Sequence, residues 1–389
     1  MSGFILFIAV YLSIYGGVHV YGFIKAKQGL SLEFWGCLLL AIFMTLMVAA
    51  PIMVRWAEKY VDDRITTVLA VIAFTWMGLL FIFISTAFAF DVYRGLLFIC
   101  RFIFQKYFLG FTPTAGFSFA ISLIVSCVAM AYGFYEANTI RLEHVAIQTD
   151  KLPDAQDNLR IVQISDVHLG VLVGEKRLQK ILEKVKAAKP HLMVSTGDLV
   201  DGEIRHAEKL AAMLHEIDTP HGKYAVTGNH EFYAGLADAL DFTKKAGFKV
   251  LQGASLTLPN LIHIAGVDDP ARRRRQASAS ISETTLLSKL SDDLFVLLLK
   301  HQPVIANPVA GHFDLQLSGH THCGQIFPFR LLTRLFYDIH PGLTRLSNGS
   351  FAYVSRGSGT WGPPVRFLAP PEVTLIELVK TSVPNLLRH

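Results

Sequence analysis

Charge is what the first third of this chain lacks. Over residues 1–135 Phe, Ile, Leu, Val, Ala and Met dominate, and ionisable side chains are confined to short clusters. From about Glu136 onward charges are spread throughout, between regular turn signals. Cysteine is scarce too. Of four, Cys37, Cys100 and Cys127 fall in the apolar part, and Cys323 stands alone after it. A lone thiol makes no internal disulfide, which suits a reducing compartment, and nothing here resembles a thiolate-rich structural zinc site. Net charge is only +5 over 389 residues, so no nucleic-acid polymer is expected as a partner. No basic stretch precedes the first apolar run and further runs follow it, which is not the form of a cleaved signal peptide.

What is present is four long apolar runs, at 3–24, 34–54, 65–90 and 114–134. Each reaches the roughly 20 residues that cross a bilayer as a helix. Charges cluster between them: Lys25 and Lys27, then Arg55 to Arg64, then Asp91, Arg94, Arg101 and Lys106. A shorter run at 95–108, interrupted by Arg101 and Lys106, reads as an interfacial helix. Four runs of this length would be hard to bury in one small soluble domain. The expectation is an all-α transmembrane domain of four spans over 1–135, with the lipid bilayer as its partner. Ionisable residues are sparse within the runs, which argues against a transporter. Basic residues divide almost evenly between the two sides, so the positive-inside rule leaves orientation open.

A polar stretch at 136–158 reads as a linker to a second domain over 159–389. Short apolar runs at 159–165, 191–196, 223–227, 248–251, 261–267, 295–301, 314–318, 352–356 and 372–378 read as strands. Leu178, Ile181, Leu182 and Val185 recur at helical spacing, and a second helix is expected near 236–246. Strands alternating with helices indicate an α/β class with some parallel sheet.

Five polar motifs fall just beyond the carboxyl ends of these strands, where open α/β sheets gather their ligands. They are Asp166-Val-His168, Gly197-Asp198-Leu-Val-Asp201, Gly228-Asn229-His230-Glu231, His301 and Gly319-His320-Thr-His322. Each alone is weak, since a single histidine is most often a surface or hydrogen-bonded core residue. Carboxylate, imidazole and amide oxygen suit divalent Mn, Fe or Zn rather than a structural thiolate site. Seven such groups are too many for one ion. With one carboxylate able to bridge, they match two divalent metal ions roughly 3.5–4 Å apart, able to activate water for attack on phosphorus.

Together these motifs resemble the full set of the calcineurin-like metallophosphoesterases, over about 159–378. The closing SRGSGTWGPPVRFLAPPEVTLIEL (355–378) is similar to the membrane-associated bacterial members of that family. The resemblance implies a four-layer αββα sandwich with a dimetal site at the sheet edge, carried by a multi-pass protein of the bacterial inner membrane. It implies Asp166, His168 and His322 on one ion, Asn229, His301 and His320 on the other, and Asp198 bridging. His230 would be the catalytic proton donor rather than a ligand, with Glu231 supporting its loop. Asp201 occupies the slot where the purple acid phosphatase branch has tyrosine, so an iron–tyrosinate centre is not expected, and Asp201 reads as a loop-fixing residue. The substrate would be a phosphate ester or phosphoanhydride. A lipid-linked one such as UDP-diacylglucosamine is set against a nucleotide diester, and against a slow metal- and phosphate-binding membrane sensor. Among the weaker features, Arg366 could help clamp substrate, and Arg272–Arg275 could meet phosphate or headgroups. Trp361 could form an apolar lip, and Cys323 reads as packing.

Overall fold

A computed structural model of the chain describes residues 2–104, 112–154, 156–271, 281–305 and 311–381. It forms two units. One holds the residues up to 135 together with 326–328 and 362–367, and the other holds the remainder.

In the helical unit, Phe34–Tyr60, Asp63–Phe104 and Ala115–Asn138 are each long and apolar enough to cross a membrane. The first apolar run is also helical, but a π-helical turn at Leu12–Gly16 divides it into Ser2–Tyr11 and Gly17–Leu30. Neither piece reaches spanning length alone, so three single helices meet that criterion among the described residues, not four. A second difference concerns the expected interfacial helix: its residues 95–104 simply continue the helix that begins at Asp63. Two of the charges that separate the apolar runs, Asp91 and Arg94, are satisfied in place. Asp91 takes Lys25 and Tyr21 at 2.6 Å each and Arg94 at 3.2 Å, while Arg94 also donates to Ser118. Paired charges remove the reason for a break. The rest of that expected helix, 105–108, lies outside the described residues.

Among the described residues the second unit is built on twelve strands: β1 (Arg141–Thr149), β2 (Asn158–Ile164), β3 (Leu192–Ser195), β4 (Lys223–Ala225), β5 (Lys249–Val250), β6 (Ala254–Leu258), β7 (Ile262–Gly266), β8 (Phe295–Leu299), β9 (Leu315–Ser318), β10 (Gly342–Arg345), β11 (Phe351–Val354) and β12 (Glu372–Lys380). They form two six-stranded sheets, ordered β1-β12-β2-β3-β4-β5 and β10-β11-β9-β8-β7-β6. Strand alternation builds the layers. In β2, Leu159 and Ile161 enter a core shared with β8 residues Leu297 and Leu299 of the facing sheet. Val162 and Ile164 point the other way, onto Leu178, Ile181 and Val185 of the helix Glu175–Ala187. On the far side, Val296 and Leu298 of β8 meet Leu286 and Leu287 of the helix Glu283–Leu287. Helix, sheet, sheet and helix therefore stack in four layers, and each Leu or Ile buried this way contributes roughly 1.5–3 kcal/mol.

The supposed linker contains β1, which runs parallel to β12 in register from Arg141↔Glu372 to Thr149↔Lys380. It is an edge strand, exposed along most of its length. Its sequence therefore carries charge rather than a core pattern.

Candidate metal centre

Within the second unit β2, β3 and β4 lie parallel to one another, as do β8 and β9. All five motifs leave these strands at their carboxyl ends. The first two loops are laced together by backbone bonds: Asp166 N to Gly197 O at 3.1 Å, His168 N to Asp198 O at 3.0 Å, and Leu169 N to Leu199 O at 2.9 Å. Parallel pairing thus continues past the strand ends and fixes two carboxylates and an imidazole by main-chain contacts. The third loop opens directly into the short helix Asn229–Ala234.

The seven expected ligand residues converge. His168 Nε2 lies 3.0 Å from His322 Nε2, and His322 Nε2 lies 3.4 Å from Asp166 Oδ1. His301 Nε2 lies 3.2 Å from Asn229 Oδ1 and 3.1 Å from His320 Nδ1. Asp198 Oδ2 faces both groups, 3.2 Å from His301 Nε2 and 3.8 Å from His168 Nε2. Asp166, His168 and His322 bring ligand atoms within 4.8 Å of one another, as do Asp198, His301 and His320. A third such grouping joins His230 to His168 and Asp198.

These atoms suit a divalent cation. Two imidazole nitrogens at contact distance either share one proton as an N–H···N bond or, both neutral, turn their lone pairs onto a positive centre between them. The site is buried, so that centre is poorly replaced by water. His301 Nδ1 is committed to the Thr196 carbonyl at 2.8 Å, which assigns Nε2 to the cluster. Burial, with neighbouring histidine charge, lowers His168 to about 4 and His320 to about 3, leaving both as the neutral rings a metal requires. Burial also opposes charge on Asp198 and His301, yet their attraction outweighs it: Asp198 is held well below the carboxylate range and His301 well above the imidazole range. A bound cation would replace that shared proton.

The backbone is bent to make this possible. Five of the twelve described non-glycine residues with positive φ are Asp166, His168, Asp198, His320 and His322. Left-handed backbone at such residues stores strain, of order 1–3 kcal/mol each, which the surrounding contacts must hold. Glycine is required where loops touch. A Cβ at Gly319 would stand 1.9 Å from Ser165 Oγ and 2.1 Å from Asp166 Oδ2. One at Gly228 would stand 2.2 Å from Asp198 Oδ1.

Two carboxylates support the cluster from outside it. Glu231 accepts from the backbone N–H groups of Asp198 (3.0 Å), Leu199 (2.7 Å), Val200 (3.4 Å) and Gly228 (2.7 Å), tying the Asp198 loop to the Asn229 loop. Asp201 Oδ1 lies 2.9 Å from His230 Nδ1, while His230 N donates to Asp198 Oδ1 at 2.8 Å. Burial opposes charge on His230, but Asp198 and the bonded Asp201 outweigh it and raise its pKa.

The weaker candidates are Arg366, Arg272–Arg275, Cys323 and Trp361. The Arg366 side chain is completely buried, its backbone N–H donates to Gly133 O, and its segment groups with the helical unit. Arg272–Arg275 lie outside the described residues. Cys323 is buried, with a left-handed backbone. Trp361 does stand at the cluster, its ring 5.6 Å from that of His230. Gln325 fixes it there through both amide atoms, at 2.8 and 2.9 Å.

Three contributors carried no motif. Ser165 donates to Asp166 Oδ2 at 2.5 Å, Tyr233 sets its ring 5.4 Å from His230, and Tyr337 sets its ring 5.6 Å from His320. Ser165 and Tyr233 flank motif residues, which was their only signal. Tyr337 follows a helix, Phe329–Phe336, that the sequence reading did not foresee.

Facing sheets that deliver Asp, His and Asn to one buried cluster define a metal-dependent phosphoesterase domain. Residues 159–324 match the family model described as calcineurin-like phosphoesterase. An "uncharacterized metallophosphoesterase" of Aquifex aeolicus is 39% identical over 258 residues, covering 66% of this chain and 98% of that one. One of Helicobacter pylori is 36% identical over 250 residues, covering 64% and 66%. A "transmembrane protein with metallophosphoesterase domain" of Danio rerio is 32% identical over 270 residues, covering 66% and 62%. The chain belongs to the calcineurin-like metallophosphoesterase family.

Proposed function

We propose that this chain is a multi-pass membrane hydrolase that uses two divalent ions, manganese, iron or zinc, to cleave a phosphate ester or phosphoanhydride. The observation that carries the reading is the position of Asp198 Oδ2, which faces His301 on one side and His168 on the other. Asp166, His168 and His322 would hold one ion, Asn229, His301 and His320 the second, and Asp198 both. Such ions supply Lewis-acid charge to phosphoryl oxygens and lower the pKa of water.

The rest of the chemistry belongs to the chain. His230, oriented through Nδ1 by Asp201, presents Nε2 to protonate the leaving oxygen. Glu231 holds the loops of Asp198 and His230 at fixed separation. Residues 2–30 would supply the fourth span, in a bacterial inner membrane, and a membrane setting favours a lipid-linked phosphate such as UDP-diacylglucosamine over a plain nucleotide.

The test uses full-length protein in detergent or nanodiscs. With Mn²⁺ it should hydrolyse bis-p-nitrophenyl phosphate, lose that activity to EDTA and regain it on adding metal. If no metal tried gives turnover above an Asp198→Ala control, the sensor reading replaces this one. Rates on UDP-diacylglucosamine and on plain nucleotides would then separate the substrate classes.

Asp201→Asn gives a pH test. The amide keeps an acceptor for His230 Nδ1 but removes the charge that helps raise the His230 pKa. An acid is active below its pKa and is lost as pH rises through it. With an alkyl phosphodiester as substrate, the alkaline limb of kcat should therefore move to lower pH in the variant, with kcat at neutral pH down by about tenfold. An unmoved limb would leave Asp201 as a loop fastener only.

A further inference from the structure

The helix Phe329–Phe336, FRLLTRLF, faces the wrong way for a globular protein. At 100° per residue its five apolar side chains occupy one arc and Arg330, Thr333 and Arg334 the other. Ordinarily the apolar arc is buried. Here Phe329, Leu331, Leu332, Leu335 and Phe336 are 45%, 53%, 46%, 79% and 81% exposed, and none of the helix's residues is buried. A contiguous exposed apolar face of this kind marks a surface that something covers.

We infer that the occupant is the lipid bilayer, and that the helix seats the mouth of the metal centre on the membrane surface. This rests on the phosphoesterase reading and adds the side from which substrate arrives. Three observations favour lipid. The described residues already include three helices long and apolar enough to span a membrane, so a bilayer is at hand. The polar arc bears two arginines, one of them, Arg334, exposed, and this pairing of Phe/Leu with Arg suits anionic headgroups over an acyl boundary. The helix also adjoins the site itself: the 3-10 turn His322–Gly324 lies just before it in the chain, and Tyr337, the next residue after it, sets its ring against His320. On the His230 side of the cluster stand the half-exposed Tyr233 and Trp361. An amphiphile whose tail remains in the bilayer could offer its phosphate to the cluster without leaving the lipid.

Two substrates with one leaving group test this: soluble bis-p-nitrophenyl phosphate, and hexadecyl p-nitrophenyl phosphate embedded in phosphatidylcholine–phosphatidylglycerol nanodiscs holding the full chain. The double variant Leu335→Glu, Phe336→Glu should lose about tenfold or more on the embedded ester and stay within about twofold on the soluble one. Equal losses on both, or none on either, overturn the inference, as does wild type that cleaves only the soluble ester. Wild type that cleaves neither defeats the phosphoesterase reading instead. A direct measurement runs beside it: the tryptophan added by Phe336→Trp should be quenched by brominated lipid, and its emission being indifferent to bromine would count against lipid contact. If the double variant instead turns an oligomer into a monomer in detergent, the face belongs to a second copy and the lipid inference falls.

Discussion

Asp198→Ala is expected to lower kcat for bis-p-nitrophenyl phosphate by on the order of 10³-fold or more, with a parallel loss of bound metal. The reason is geometric. Oδ2 is set against both His301 and His168, so its removal withdraws an anionic ligand from each group. It also leaves buried imidazoles whose charge had a carboxylate partner. Alanine has a second effect, because Oδ1 accepts the His230 N–H at 2.8 Å and anchors the start of the helix Asn229–Ala234. Asp198→Asn separates the two: it can keep that hydrogen bond and loses the charge. Metal content by mass spectrometry and steady-state rates should fall in both variants, while melting temperature falls less in the asparagine one. Near-normal metal content in Asp198→Asn would show that the residue does not bridge.

His230→Ala should produce the next largest effect, and its size should depend on the substrate. General-acid assistance is worth about 10²–10⁴-fold where the departing oxygen needs a proton. An alkyl ester should therefore lose most of that range. A p-nitrophenyl ester, whose phenolate departs readily near neutral pH, should lose far less. Asp201 holds Nδ1 and burial restricts the ring, so alanine removes a group already in place rather than one that must be recruited. Equal losses on the two leaving groups would reassign His230 to metal binding, as its grouping with His168 and Asp198 would then indicate.

The centre was legible in the sequence because its chemistry is concentrated. Ligands of distinctive type sit beside glycines at strand ends, and a buried strand such as LRIVQI announces itself by unbroken apolar content. Legibility failed where structure depends on partners distant in sequence. β1 looked like a linker because an edge strand is specified by the register of β12, not by its own residues. Residues 95–104 looked separate because the pairing of Asp91 with Lys25 and Tyr21 is a long-range fact. The helix Phe329–Phe336 was missed for a related reason: eight amphipathic residues do not say which face the fold will turn outward.

The division of the ligands between the sheets has a mechanical consequence. Asp166, His168, Asp198, Asn229 and His230 hang from β2, β3 and β4, whereas His301, His320 and His322 hang from β8 and β9 of the opposite sheet. Ions seated among them would clasp the two sheets at one rim and close chain loops as long as that from Asp166 to His322. Cations bound only by the native fold stabilise it by mass action. The reagents of the reaction would thus also be rivets of the sandwich, so that starving the protein of metal both silences it and loosens the seam between its sheets.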